Sequence, residues 1–183
     1  MDIFLVRHGE AAASWGEDPD PGLSELGVQQ AAQVAELLLL QLAPAGIDIV
    51  SSPLLRAQET AMPLAQSLSL PVSIDTGFRE IPAPVALAGR KQWLQAFMKQ
   101  QWQDQPQTLL EWRDTALSQI HSLKKPTVIF THFLVLNAII GDVLERSETL
   151  VFWPDNASVT QLKLTAGALE LVQLGVQMDT VIN

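Results

Sequence analysis

The segment Leu5-Val6-Arg7-His8-Gly9-Glu10 joins a short apolar run to an arginine, a histidine and a glycine. Such runs are typical of strands that are buried on both faces of a parallel sheet. Histidine can form a covalent phosphoryl intermediate, and arginine offers phosphate oxygens a planar fork of donors. The segment alone equally fits a solitary histidine that a neighbouring carbonyl satisfies at a strand end, so the rest of the chain must distinguish these interpretations.

Strands and helices are predicted to alternate along the chain. Short β-rich runs lie at residues 3–6, 47–50, 71–74 and 126–131, and helical patterns lie at residues 26–42, from Pro53 onward, and at 90–102, 109–124 and 134–144. Residues 158–164 and 168–174 are predicted to form a hairpin, and residues 37–40 of the first helix, all leucine, are predicted to be core. This alternation predicts an α/β fold with a mostly parallel sheet and shows no clear domain boundary.

Composition limits the chemistry that the chain can perform. Its 183 residues carry a formal net charge of −9 and include no cysteine. The acidic balance argues against nucleic-acid or anionic-membrane partners, and the lack of cysteine excludes thiolate catalysis and cysteine-based zinc sites. We find neither a signal-peptide pattern nor an apolar run approaching ~18 residues, so we expect a soluble, cytoplasmic protein.

Polar side chains follow four predicted strands at the point where each strand ends. Arg7 and His8 follow the first strand, Arg56 lies in the helix after the second, Glu80 comes soon after the third, and His132 ends the fourth. Because ligands of open α/β sheets bind outside the carboxyl ends of the strands, these side chains should meet at one edge. Two arginines and two histidines in an acidic protein suit a dianionic phosphoryl group, and the carboxylate suits proton transfer.

Six stretches carry specific patterns in a fixed order along the chain. They are Arg7-His8-Gly9, Leu23-Ser24-Glu25-Leu26-Gly27-Val28-Gln29-Gln30-Ala31, Ser51-Ser52-Pro53-Leu54-Leu55-Arg56-Ala57-Gln58-Glu59-Thr60-Ala61, Phe78-Arg79-Glu80-Ile81, Thr131-His132 and Asn156-Ala157-Ser158-Val159-Thr160. Together they resemble the histidine phosphatase superfamily, also called the phosphoglycerate mutase-like family. The resemblance covers most of the chain and implies a three-layer α/β/α fold in a single domain over residues 1–183.

The resemblance also implies a role for each matching residue. His8 would be the nucleophile that becomes a phosphohistidine, and Glu80 would be the general acid and base. Arg7, Arg56 and His132 would bind the phosphoryl group and stabilise the transition state. This scheme needs no metal or other cofactor, and the sequence contains no HExxH motif or clustered aspartates.

The chain departs from the family's pattern near the expected pocket. Phe133 stands where the family usually has a glycine after the second histidine, which predicts a narrower or more apolar rim. Ala11 and Ser14 replace residues that are often longer or more polar. Ser14 and Asn156 are predicted to contact substrate.

Three functions remain open from the sequence. The first is a phosphomonoesterase that acts on a phosphorylated small molecule or on a phosphoprotein such as a phosphohistidine protein. The second is a phosphoglycerate mutase, which by resemblance would usually be a longer chain. The third is a catalytically weak protein that binds a phosphorylated ligand. The substrate and the oligomeric state are not determined by these patterns.

Overall fold

The computed structural model of the protein describes residues 1–13, 18–42 and 46–178. Strands and helices alternate through most of this part of the chain. They are β1 (Asp2–Arg7), α1 (Glu25–Gln41), β2 (Asp48–Ser51), α2 (Leu55–Leu68), β3 (Val72–Ile74), α3 (Arg90–Phe97), α4 (Gln107–Ser122), β4 (Thr127–Thr131), α5 (Phe133–Val143), β5 (Val159–Thr165) and β6 (Ala168–Gln173). Short 3₁₀ turns occupy Thr76–Phe78, Leu87–Gly89 and Trp102–Asp104.

The strands form one six-stranded sheet in the order β3-β2-β4-β1-β5-β6. The pairs β1–β4, β2–β4 and β2–β3 are parallel, whereas β1–β5 and β5–β6 are antiparallel. The predicted mostly parallel sheet is therefore confirmed. The antiparallel part is the predicted hairpin, which extends the sheet beyond β1.

Both faces of the sheet are covered by helices, as the alternation along β1 shows. Ile3 and Leu5 pack in one core with residues of α4 and α5, whereas Phe4 and Val6 pack in another with residues of α1 and α2. Successive side chains of a strand point to opposite faces, so a continuous apolar run supplies both cores. The predicted three-layer arrangement is confirmed.

The prediction that the leucines at 37–40 all lie in the core is wrong. Leu38 is fully buried, but Leu40 is 86% exposed, and Leu37 and Leu39 are also exposed. Adjacent residues of an α-helix point about 100° apart, so four residues in a row cannot all share the face of Val34, and Leu38, one turn after Val34, is the one that is buried. The buried stripe of α1 is set by this period and not by the length of the apolar run.

The third predicted helix is shorter than expected. We predicted a helix over 90–102, but α3 ends at Phe97. Trp102 instead opens a separate 3₁₀ turn, and its backbone N–H donates to the carbonyl of Ser147 at 2.8 Å. Its ring then packs edge-on against Phe97, with ring centroids 5.7 Å apart. A contact between segments distant in sequence thus ends the helix.

Within the described ranges, no helix combines the length and the apolar character that a bilayer span requires.

Candidate active site

The register of the two central strands brings two histidines together. Arg7 of β1 pairs with Thr131 of β4, so the next residue on each strand, His8 or His132, leaves the sheet at the same level. The backbone N–H of His8 donates to the carbonyl of Thr131 at 3.0 Å, and the two imidazole centroids are 5.2 Å apart. Both side chains are buried, His8 at 6% exposure and His132 at 0%. The predicted meeting of the histidines at the carboxyl ends of the strands is what the fold produces.

The hydrogen bonds of His8 assign its tautomer. Its Nδ1 lies 2.7 Å from the carbonyl oxygen of Gly9, and because a carbonyl only accepts, Nδ1 carries the proton. Burial, and then the cations of Arg56 and Arg7, hold the pKa of His8 well below its usual value. The ring is therefore neutral with a lone pair on Nε2, to which Nε of Arg56 donates at 3.1 Å. A neutral imidazole with Nε2 unprotonated is the form that can attack phosphorus.

His132 is held by a serine that comes from the neighbouring strand. Its Nε2 lies 2.6 Å from Oγ of Ser52, which also accepts the backbone N–H of Leu54 at 3.3 Å. If Ser52 donates to Nε2, the proton of the neutral ring lies on Nδ1. Within this serine–histidine pair, the Nδ1–H group is then the one donor without a partner among the described residues. The opposite assignment leaves both the serine hydroxyl and Nδ1 unsatisfied, so we assign the first. His132 then offers an N–H donor that suits a phosphoryl oxygen.

This assignment predicts the effect of removing the serine hydroxyl. Ser52→Ala should weaken the binding of inorganic phosphate by roughly 10-fold, the cost of one lost hydrogen bond that positions a donor. Nitrogen NMR of His132 should show its proton shared between both ring nitrogens, whereas Ser52→Thr should restore the wild-type tautomer. Ser67→Ala, at an exposed serine of α2, is the control. An unchanged His132 tautomer in Ser52→Ala would contradict the assignment.

Arg7 is fixed at the end of β1 by contacts on two sides. Its Nη1 donates to the carbonyl of Pro154 at 2.8 Å, and its guanidinium carbon lies 5.2 Å from the ring centroid of Phe133. Burial lowers the pKa of Arg7 to about 10, against the opposing charges of Glu80 and Asp155. Arg7 is still a cation at neutral pH and is held in a fixed orientation.

Phe133, the residue that replaces the family's glycine, lies beneath Arg7. The ring is 2% exposed and packs against Trp153, with ring centroids 5.4 Å apart. We predicted that it would make the rim of the pocket narrower or more apolar, but the structure buries it in the core below the guanidinium. Its effect is on the support of Arg7, because cations are attracted to the face of an aromatic ring.

Arg56 reaches the site from the first turn of α2. Besides its bond to His8, its Nη1 lies 3.8 Å from Oδ1 of Asp20, which also accepts the backbone N–H of Leu55 at 2.9 Å. The helix lacks a cap of its own, because Leu54 at the N-cap offers no side-chain acceptor. In the sequence, Asp18 and Asp20 alternate with prolines, a pattern that is typical of a turn. Asp18 fits that role, since it accepts the N–H of Asp20 at 2.9 Å, but Asp20 caps α2 and orients Arg56.

Glu80 lies beside the carboxyl end of β4. Its Oε1 accepts the N–H of Ile81 at 3.0 Å, and its Oε2 accepts the N–H of Leu134 at 3.4 Å, two residues after His132. Thr131 anchors this segment by donating its hydroxyl to the carbonyl of Phe78 at 2.8 Å. Burial raises the pKa of Glu80, while the hydrogen bond from Ile81 and the charge of Arg56 oppose the rise. A raised pKa favours the protonated carboxyl that a general acid needs.

Gly9 of the Arg-His-Gly motif packs so closely against a helix that a side chain would not fit there. A Cβ on Gly9 would lie 2.7 Å from the carbonyl oxygen of Gly27, and a Cβ on Gly27 would meet the backbone of Glu10. A glycine also lets backbone come close to a ligand, but the close neighbour of Gly9 in the structure is the first turn of α1. Thr60 completes the contact, because its Oγ1 accepts the N–H of Gly9 at 3.0 Å. The motif that contains Gly27 and the motif that contains Thr60 therefore hold the loop after His8 in place.

A cavity of about 470 Å³ opens beside His8, and neither His132 nor Glu80 is among its lining residues. Its lining includes Arg7, His8, Arg56, Arg90, Lys91 and Asn156. Asn156 thus lies at the cavity, as its predicted contact with substrate requires, and Ser14 lies outside the described residues. In the part of the chain that the structure describes, no three His, Asp or Glu side chains are grouped to hold a metal ion.

Comparison with known families then decides the classification. The sequence profile of the histidine phosphatase superfamily, branch 1, matches residues 3–177. The chain belongs to this superfamily. The motifs quoted from the sequence are therefore those of a histidine phosphatase superfamily member, and the described pocket is built from them.

Two curated relatives each match less than half of this chain and less than half of their own length. A glucosyl-3-phosphoglycerate phosphatase of Mycolicibacterium vanbaalenii is 39% identical over 82 residues, which are 43% of this chain and 35% of the relative. A probable phosphoglycerate mutase of Yersinia pestis is 37% identical over 86 residues, which are 44% of this chain and 38% of the relative. The match thus spans well under half the length of either relative.

The fold extends over nearly the whole length of a solved structure. A phosphoserine phosphatase from Entamoeba histolytica, in complex with 3-phosphoglyceric acid, superposes with a TM-score of 0.74 at 22% identity. The superposition covers 97% of this chain and 98% of the other. The shared architecture is phosphoglycerate mutase-like, as the motifs implied.

Proposed function

We propose that this histidine phosphatase superfamily member is a metal-independent phosphomonoesterase that works through a phosphohistidine. The observation that carries the proposal is the tautomer of His8, whose Nδ1 donates to Gly9 and whose Nε2 keeps a lone pair. Two guanidinium groups and a second imidazole surround that lone pair. A nucleophile within a cationic pocket suits attack on a phosphate ester.

In the first step, Nε2 of His8 attacks phosphorus opposite the leaving oxygen. The N–P bond forms as the P–O bond to the alcohol breaks, and Glu80 gives its proton to the departing oxygen. Arg7, Arg56 and Nδ1–H of His132 stabilise the charge on the phosphoryl oxygens. The carbonyl of Gly9 keeps its bond to Nδ1–H and stabilises the positive charge that the ring acquires.

In the second step, water releases the phosphate. The Glu80 carboxylate, now unprotonated, takes a proton from water as the water oxygen attacks phosphorus. The N–P bond breaks, its electron pair returns to Nε2 of His8, and both residues regain their starting states. Every proton and electron pair is accounted for by these two side chains, so the scheme requires no metal ion.

We propose a phosphorylated small molecule as the substrate. Similar proteins support this class, since one is a glucosyl-3-phosphoglycerate phosphatase and another is a phosphoserine phosphatase solved with 3-phosphoglyceric acid. The volume of about 470 Å³ also falls within the range of ~300–1,000 Å³ that is usual for small-molecule pockets. A phosphohistidine protein is the alternative substrate, and its hydrolysis should be compared with that of small phosphate esters.

A hydrolysis assay in excess EDTA tests the proposed activity. The purified protein should release phosphate from p-nitrophenyl phosphate at the same rate with and without the chelator, because the mechanism uses only side chains. Phosphohistidine peptide and phosphoglycerates are assayed in parallel. Interconversion of phosphoglycerates without release of phosphate would favour a mutase, and phosphate binding with neither reaction would favour a binding protein.

A further inference from the structure

Glu80 lies in a stretch of the chain without helix or strand. The 3₁₀ turn Thr76–Phe78 ends shortly before it, and the next 3₁₀ turn begins only at Leu87. Such a segment lacks the regular backbone hydrogen bonds that orient residues in a helix or a sheet. Other contacts must therefore set the direction in which the Glu80 carboxyl points.

Hydrogen bonds from two different elements hold the two peptide units before Glu80. The hydroxyl of Thr131, on β4, donates to the carbonyl of Phe78 at 2.8 Å. The indole Nε1–H of Trp112, on α4, donates to the carbonyl of Arg79 at 2.9 Å. Because a peptide unit is planar, the bond to the Arg79 carbonyl also fixes the N–H of Glu80 and limits the backbone rotations that aim its side chain.

The ring of Trp112 is held between two hydrophobic clusters that flank Glu80. One cluster contains Phe78 and the other contains Ile81, and Trp112 packs against both. Its ring also stacks on Trp102, with ring centroids 6.2 Å apart. These contacts leave the indole little freedom to turn, so its N–H keeps its direction toward the segment that carries Glu80.

The bond from Trp112 matters for orientation more than for satisfying a polar group. Arg79 is exposed, and so is the bond itself, so water can donate to the Arg79 carbonyl when the indole is removed. The free-energy cost of the loss is then small. Water does not fix the plane of the peptide unit, however, so the backbone just before Glu80 would gain freedom to rotate.

We propose that Trp112 is a positioning residue for Glu80, because its indole N–H holds the Arg79–Glu80 peptide unit in the orientation that directs the carboxyl toward the leaving oxygen. The inference rests on the proposed function, in which Glu80 is the general acid. Trp112 itself lies outside the lining of the cavity and acts only through the backbone. A residue of α4 thereby contributes to proton transfer without contact with substrate.

The dependence of turnover on the leaving group tests this role. Trp112→Phe removes the donor and keeps an aromatic ring beside Trp102. For an alkyl phosphate kcat should fall about 10-fold, because a small misplacement of a catalytic group is costly. For p-nitrophenyl phosphate, whose leaving group needs no proton, kcat should fall less than about 2-fold, and KM should stay within about 2-fold for both substrates.

Trp93→Phe is the matched control, because it makes the same change at another half-buried tryptophan, which stacks on Phe97. It should leave kcat for both substrates unchanged. An equal decrease for the two leaving groups in Trp112→Phe, no decrease for either, or the same pattern in Trp93→Phe would overturn the inference.

Carbon-13 NMR titration of the Glu80 carboxyl tests the positioning without substrate. Burial raises the pKa of Glu80 against the charges of Arg56 and Arg90, and Trp112→Phe alters no charge. A loosened segment admits water, so the pKa of Glu80 in Trp112→Phe should fall toward that of an ordinary glutamate, whereas Trp93→Phe should leave it unchanged. An unchanged pKa of Glu80 in Trp112→Phe would contradict the inference.

A second variant covers the case in which Trp112→Phe does not fold. Benzothienylalanine incorporated at position 112 replaces the indole N–H with sulfur and keeps the size of the ring, so it should reproduce both the kinetic and the pKa effects. Wild-type behaviour of this variant would also overturn the inference. A pKa of Glu80 that depends on Trp112, in a protein that hydrolyses no phosphomonoester, would overturn only the proposed function.

Discussion

His8→Ala is expected to reduce kcat for p-nitrophenyl phosphate by roughly 10⁴-fold or more, because it removes the atom that attacks phosphorus in the proposed mechanism. The remaining cations still bind phosphate, so the substitution should change the affinity for inorganic phosphate much less than it changes turnover. The assay compares kcat with the dissociation constant of phosphate in the same preparation. A loss of binding as large as the loss of turnover would indicate a damaged pocket and not a missing nucleophile.

Labelling adds a direct readout of the intermediate. Wild-type protein quenched during turnover of a ³²P-labelled phosphomonoester should carry label that is lost in acid and retained in base, as expected of a phosphoramidate on histidine. His8→Ala should carry none. His121→Ala, which alters an exposed histidine of α4, is the matched control and should label like wild type. Equal labelling of His8→Ala and wild type would remove His8 as the nucleophile.

Glu80→Gln is expected to slow turnover most for substrates whose alcohol is a poor leaving group. General acid catalysis contributes roughly 10²–10⁴-fold, so hydrolysis of an alkyl phosphate should fall by about that factor. Hydrolysis of p-nitrophenyl phosphate should fall less, because p-nitrophenolate departs without a proton. Glu36→Gln, at an exposed carboxylate of α1, is the control. A uniform decrease across leaving groups would argue against Glu80 as the acid.

The dependence of kcat on pH tests the same role of Glu80 as general acid. The acid must be protonated to act, so kcat for an alkyl phosphate should fall as pH rises through the pKa of Glu80 in the enzyme–substrate complex. Burial raises that pKa in the free protein, which moves the decrease to higher pH than an ordinary glutamate would give. This decrease in kcat at high pH should be absent in Glu80→Gln. The pKa of His8 is shifted downward, so its protonation should limit the rate only at lower pH.

The sequence predicted the site's location because strand ends are strong signals. Arg7 and His132 directly flank short β-rich runs, and parallel strands bring their carboxyl ends to one edge. What could not be predicted was the partner of each imidazole. The bond from Ser52 to His132 depends on the β2–β4 pairing, in which Ser51 lies opposite Phe130, and that register is not visible in a single strand.

Contacts between segments that are distant in sequence account for the other differences between the predictions and the structure. Asp20 looked like a turn residue, but it caps a helix that begins 35 positions later. Arg90 carried no motif, and its place in the cavity follows from the path of the chain between β3 and α3. Residues 37–40 were misjudged because an unbroken apolar run conceals which of its members faces the sheet. In each case the deciding neighbour comes from tertiary structure.

The hydrogen bond from Arg56 to His8 has a consequence for the start of each turnover. In the structure the Arg56 guanidinium donates to the Nε2 lone pair of His8, which is the lone pair that attacks phosphorus in the proposed mechanism. An arriving phosphoryl group brings oxygens that bind the same N–H more strongly, since a charged acceptor outcompetes a neutral imidazole. In the proposed mechanism Arg56 would exchange His8 for a phosphoryl oxygen as its acceptor, and Nε2 of His8 would become free to attack. Substrate binding would then itself prepare the nucleophile for reaction.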